Sequence, residues 1–177
     1  MPSQATGFIA LIPIDLWGTL STPVAIEVWG KTSPHWGLSV PHVPSLKGGS
    51  QNSEPHRFMV NDHTKQCMAK IQAADQSRKI LILPVRSETI GEMINPLGPD
   101  EFDLGLTDAL WVMCTHWEKL VQDRHEFKIA CLGERYDGHE VPVIGFRKGN
   151  RSIDVMGENS SFAGCHRIIG CMPVKTE

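Results

Sequence analysis

The stretch from Thr107 to Gln122 constrains the fold of this chain more than any other. At 100° per residue, Leu106, Leu110, Met113, Cys114, Trp117, Leu120 and Val121 fall on one apolar stripe, the signature of a helix that lays one face on a core. Thr107 can cap it, and Asp108 lies near the positive end of its dipole. Trp111 falls well off the stripe. It must pack on a second element or stay available to a partner.

The rest of the chain has to supply what covers that stripe. Phe8 to Trp17, Val24 to Trp29 and Trp36 to Val43 are apolar segments, and Val24, Ile26 and Val28 alternate with Ala25, Glu27 and Trp29, the period of a strand with one buried face. Pro13, Pro23, Pro34 and Pro41 suit strand ends or edges. Residues 41–57, rich in Pro, Gly and Ser, read as an exposed, mobile loop. A further helix is predicted from Asp62 to Gln76 with Asn61 as N-cap, its face carrying Val60, His63, Cys67, Ile71 and Ala74. Lys79 to Val85 reads as a buried strand ended by Pro84. Residues 87–103 hold five acids and no bases and read as an acidic loop.

Phe127 to Leu132, Val141 to Phe146 and Ser152 to Met156 are strand-like. Lys148-Gly149-Asn150-Arg151 between the last two is hairpin chemistry, because Gly and Asn tolerate positive φ. Residues 157–164 form a loop, and Cys165 to Met172 a short apolar tail. The predicted fold class is α+β: an antiparallel β-sheet packed against one or two long helices, followed by a small β-meander. With 177 residues, 41% of them hydrophobic, the chain suits a single domain over 1–177.

Charge and cysteine usage narrow the function. Seventeen basic against 20 acidic residues, a net charge of −3, argue against nucleic-acid binding by bulk charge. The longest apolar stretch, Phe8 to Ile14, is interrupted by Pro13 and falls far short of the ~20 residues of a membrane helix; it also lacks the preceding basic residues of a secretory signal. Five irregularly spaced cysteines fit reduced thiols in an intracellular protein.

No catalytic constellation emerges. Cys114 and His116 point roughly 200° apart on a helix and cannot chelate one ion. His63 and Cys67, at i and i+4, have workable ligand spacing, yet a buried thiol beside a core-edge imidazole explains them as well. Glu134, Asp137, His139 and Glu140 cluster in ERYDGHE, a composition that any polar turn also shows. Asp15, Glu27 and Lys31 fit a nuclease-like triad only loosely. Phosphate-cradling glycine loops and a nucleophile elbow are absent. The expectation is a protein that is not an enzyme, with no cofactor, no metal and no small-molecule substrate. The alternatives are a small intracellular metal protein or enzyme using His63 and Cys67, and a monomeric binding module.

What remains is surface. Trp17, Trp29, Trp36 and Trp111 are candidate self-association anchors, since tryptophan is enriched at contact hot spots. Arg147, Lys148 and Arg151 gather positive charge at one hairpin, a candidate patch for anionic lipid heads or phosphate.

Three runs carry a family resemblance: Thr107-Asp108-Ala109-Leu110, Thr115-His116-Trp117-Glu118, and Phe127-Lys128-Ile129-Ala130-Cys131-Leu132-Gly133. Together they resemble rhabdovirus matrix proteins, in which a capped helix ends in a His-Trp-acid step and an aromatic-Lys-Ile strand closes on Leu-Gly. The opening TPVAIEVWGKTSPHWGLSVP is loosely similar to the first hairpin of small matrix proteins of that virus order, and the length matches a short, plant-infecting cytorhabdovirus-like member. The resemblance implies a structural protein of the virion, beneath the envelope, found also in the host cytoplasm and on intracellular membranes. It would form a homo-oligomer or polymer, contact the membrane surface and the viral nucleocapsid, and act in nucleocapsid condensation and budding. The family's lysine-rich N-terminus and P-P-x-Y motif have no counterpart here: Met1 to Gly7 holds no lysine. Membrane contact would then come from folded patches such as the Arg147-Lys148-Arg151 hairpin.

Overall fold

The computed structural model describes residues 6–13, 58–74, 80–121, 126–147, 150–157 and 160–172. The expected strands Val24 to Trp29 and Trp36 to Val43, the 41–57 loop, the triad Asp15, Glu27 and Lys31, and Trp17, Trp29, Trp36 and Lys148 lie outside them.

Alternation builds the first strand pair. In β1 (Thr6–Pro13) Ala10 and Ile12 are buried, while Ile9 and Leu11 face outward; in β3 (Ile80–Thr89) Leu81, Leu83 and Val85 are buried. The two strands run antiparallel, with Leu11 opposite Ile82. Pro84 does not end β3. It is tolerated because the ladder from β3 to β9 (His166–Cys171) begins only at Val85, next to it.

Between these strands lie β2 (Phe58–Val60) and helix α1 (Asp62–Ala74). Asn61 caps α1 as its position predicts: its Oδ1 accepts the Thr64 N–H at 2.8 Å. The buried stripe of α1 is Thr64, Cys67, Met68 and Ile71, and His63 sits on the exposed side of it. After β4 (Glu101–Asp103) comes helix α2 (Leu106–Val121), whose Leu106, Ala109, Leu110 and Val112 are buried. The helix leaves helical geometry at His116 (φ −136°, ψ 31°), where the imidazole packs on Phe8 with ring centroids 5.0 Å apart. Then follow β5 (Glu126–Ala130), β6 (Glu134–Tyr136), β7 (Val141–Arg147) and β8 (Asn150–Met156).

The expected architecture is overturned at this point. The two helices of the described residues have 13 and 16 residues, and most of the described ordered chain is strand. There is no separate meander. One seven-stranded sheet runs β1-β3-β9-β5-β7-β8, with β4 also paired to β9, and β2 pairs β6 in a small second sheet. The large sheet is mixed, because β5 and β9 meet in parallel at Ile129 and His166. The run read as an apolar tail is its central strand: β9 inserts between β3 and β5. Periodicity reports which face of a strand is buried, not which strand lies beside it, so this long-range insertion left no local trace.

The sheet buries both faces unequally. On the helix side, α1 and α2 pack over Ala10, Ile12, Leu83, Val85, Ile129, Ile144 and Ile168. On the far side a smaller cluster of Ile90, Leu132, Val141, Val143, Phe162 and Cys165 covers the β5–β7 end.

Candidate functional site

The middle of the far face is charged. Strand parity puts Arg86 and Glu88 of β3, Arg167 of β9, and Glu101 and Asp103 of β4 on that face. Arg86 grips Glu101 with Nε–Oε1 at 2.9 Å and Nη2–Oε2 at 3.0 Å, and also pairs with Glu88. Arg167, only 1% exposed, donates from Nε to Glu88 Oε1 at 2.6 Å and from Nη2 to the Asn95 carbonyl at 2.9 Å. Its Nη1 lies 3.6 Å from Asp103 Oδ1, too far for a hydrogen bond, and that oxygen has no other partner.

The stretch expected to be a solvated acidic loop therefore supplies the counter-ions of two arginines. Arg167, within the run expected to be an apolar tail, is among the most buried side chains of the described residues. The only signal available was acids at 88, 101 and 103 in a run, 87–103, that holds no base of its own. The Arg86 fork, followed by the Gly98 N–H, pulls the Glu101 carboxyl below its ordinary value.

A second polar group lies under the helices. Glu134, 3% exposed, turns its Oε2 to the Leu106 N–H at 2.7 Å and so satisfies an orphan donor at the start of α2. Asp108, 5% exposed, is buried near it. Burial first, then the Glu134 charge, push Asp108 from 3.8 up to about 7. Burial pushes Asp103 up to about 6 against the pull of Arg167. The proposed acid–base cluster of ERYDGHE is thus divided: Glu134 faces inward, while Asp137, with φ 48°, and His139 sit on an exposed turn.

These shifts have a stability consequence. A group whose folded pKa is raised contributes stability that is fully present below its unfolded pKa and lost as pH rises through the folded one. For Asp103 and Asp108 the window runs from an unfolded 3.8 to about 6 and about 7, so folding should weaken across it. Asp108→Asn removes the larger share. Its stability relative to wild type should grow by about 2 kcal/mol between pH 5 and pH 8, measured by urea denaturation at both. An advantage independent of pH would show that Asp108 titrates normally in the fold.

The sequence-derived ligand pair is brought together, but not as a metal site. Cys67 Sγ lies 3.9 Å from His63 Nε2, and the same nitrogen is 2.8 Å from the Glu101 carbonyl oxygen. A carbonyl can only accept, so Nε2 carries the proton and offers no lone pair. Burial raises the Cys67 thiol above its ordinary value, which disfavours the thiolate a metal needs. No group of three or more His, Cys, Asp or Glu side chains among the described residues is placed to hold a metal ion. Cys67, Cys131, Cys165 and Cys171 are free thiols.

Trp111 does pack on a second element. It is half-buried against the helix-side core, and its indole N–H donates to the Leu11 carbonyl at 2.8 Å, tying α2 to β1. The basic hairpin forms as expected in its backbone: β7 and β8 pair antiparallel, with Arg147 opposite Asn150 and Phe146 opposite Arg151, at the edge of the sheet away from β1. No helix among the described residues is long and apolar enough to cross a membrane. The chain matches no family model, no curated protein and no solved structure.

Arginine forks and inward-turned carboxylates are consumed in holding β3, β4, β9 and α2 together. Among the described residues, the aliphatic side chains Ile9, Leu11, Ile80 and Ile82 are exposed at one edge of the sheet, and the strand pair at the other edge has a basic sequence.

Proposed function

We propose that this protein is a viral matrix-type structural protein that self-associates, lines the inner face of an envelope and links it to the nucleocapsid during assembly and budding. What supports the reading is an exposed aliphatic patch at one edge of the sheet and a strand pair of basic sequence at the opposite edge. At the β1–β3 edge, Ile9, Leu11, Ile80 and Ile82 are exposed. At the β8 edge lies the strand pair whose sequence holds Arg147, Lys148 and Arg151. A molecule with two separate contact surfaces can bind its own copies through one and an anionic surface through the other, and repeated weak contacts then add by multivalency. The resemblance of the Thr107–Glu118 and Phe127–Gly133 runs to matrix proteins supports the same reading. Leu110, Phe127, Ile129 and Cys131 of those runs are core residues, so the likeness lies in the scaffold.

Light scattering over a concentration and salt series tests the self-association. Reversible growth in mass with concentration is expected, and a strict monomer at high concentration would defeat the reading. Replacing Arg147, Lys148 and Arg151 together by Ala should cut flotation with phosphatidylserine-containing vesicles at least tenfold at low salt, about 1 kcal/mol per charge removed near an anionic surface. Unchanged flotation would mean that another surface meets the lipid.

A further inference from the structure

The far face of the sheet changes character across its width. At the β5–β7 end it is sealed by Leu132, Val141, Val143 and Phe162, and in the middle Arg86, Glu88, Arg167 and Asp103 are locked to one another. At the β1–β3 end no comparable cluster among the described residues closes it. Ile9 and Leu11 are 57% and 50% exposed, and Ile80 and Ile82 are 50% and 45% exposed. The register sets Leu11 beside Ile82 and Ile9 beside Pro84, so these side chains form one patch opposite the buried Ala10, Ile12, Leu81 and Leu83.

We propose that this patch is the self-association surface, on which a second copy of the chain seats its own β1–β3 face about a two-fold axis. The inference rests on the self-association reading above and names the contact that performs it. Charge selects the occupant. Among the described residues of these two strands, the cation on the same face, Arg86, is neutralised by Glu101 and Glu88. The patch can therefore meet its own copy without like-charge repulsion, as a contact of a surface with itself requires, and it offers no attraction to anionic lipid.

Size agrees with that choice. Half-exposed aliphatic side chains in this number present on the order of 300–400 Å², enough to mark an interaction site. It is about half of the ~800 Å² per partner in a standard interface. Such a contact is weak alone and effective in an array. Face stacking is favoured over strand addition at the edge, because the Leu11 carbonyl already accepts the Trp111 indole N–H.

The test is sedimentation equilibrium on the full chain over a concentration series. Leu11→Glu and Ile82→Glu should each raise the dissociation constant at least tenfold. Met93→Glu, at a side chain 82% exposed on a loop outside the patch, should leave it unchanged. Should single acidic variants lose solubility, an equimolar mixture of Leu11→Glu and Leu11→Lys supplies the second arm: association restored only in the mixture supports the face-to-face contact. Wild-type-like association of both acidic variants would overturn the proposal and leave self-association standing through another surface. A monomeric wild type would instead remove the reading beneath it. Loss of flotation on neutral phosphatidylcholine vesicles by Leu11→Glu, with self-association retained, would assign the patch to lipid and overturn the proposal as well.

Discussion

Arg167→Met is expected to destabilise the fold by about 3–5 kcal/mol, the range for removing one partner of a buried ion pair. The side chain of Arg167 is 1% exposed and spans β3, β4 and the 91–100 segment through Glu88, Asp103 and the Asn95 carbonyl. Methionine fills much of the volume, so the loss comes chiefly from leaving the Asp103 carboxylate buried without a cation and Glu88 with Arg86 alone. Urea denaturation at pH 8, where Asp103 is ionised, should show the full effect. At pH 5 the loss should be smaller, because Asp103 is largely protonated there. Adding Asp103→Asn to Arg167→Met should recover part of the stability, since the carboxylate left without a cation is then gone. A loss under about 1 kcal/mol at pH 8 would mean that solvent reaches this network and screens it.

Gly133→Ala is the second large effect. A Cβ there would overlap the Asp103 carbonyl oxygen and lie 2.7 Å from the Leu104 carbonyl carbon, both backbone atoms. Those atoms cannot yield cheaply. Gly133 donates to the Leu104 carbonyl at 3.2 Å and accepts from the Asn61 N–H at 2.9 Å, while Leu104 donates to the Ile168 carbonyl at 3.0 Å. One added methyl would therefore push on β9, on the start of α2 and on the cap of α1 together. A loss of at least ~3 kcal/mol is expected, the upper end of overpacking, read by thermal and urea unfolding. Gly105→Ala is the control. Its Cβ would lie 2.9 Å from Glu134 Oε2, the end of a side chain, which can give way, so the loss should be near 1 kcal/mol. Equal losses in the two variants would refute the distinction between backbone and side-chain obstruction.

Gly133 also gives a physical meaning to the Leu-Gly closure that prompted the family resemblance. The strand before it buries Phe127 and Ile129, and the glycine lets the chain pass against the backbone of residues 103 and 104. Such a passage admits glycine alone.

Local order was readable wherever a short-range rule sets it. The Asn61 cap, the shared side of Cys67 and Ile71 on α1, that of Leu106 and Leu110 on α2, and the β7–β8 hairpin follow from spacing within a dozen residues, because capping and helix periodicity act over that range. Three elements misled for a common reason. Pro84 was read as a stop, residues 87–103 as a solvated acidic loop and Cys165 to Met172 as a tail. Each takes its meaning from β9, more than 60 residues away from the first two, lying beside β3.

The candidate sites divide in the same way. That His63 and Cys67 share a helix side is a matter of spacing. That the His63 Nε2 is committed to a carbonyl of β4 is not. By itself the chain determined where its two described helices lie and the Asn61 cap, since those depend on neighbours in sequence, although Thr107, expected to cap α2, lies inside it. Tertiary structure decided which strand lies at the centre, which arginine is buried and which aliphatic side chains remain in solvent. Burial of a charge, or exposure of an isoleucine, is settled by the far partner that packs or fails to pack against it, and strand alternation carries no record of that partner.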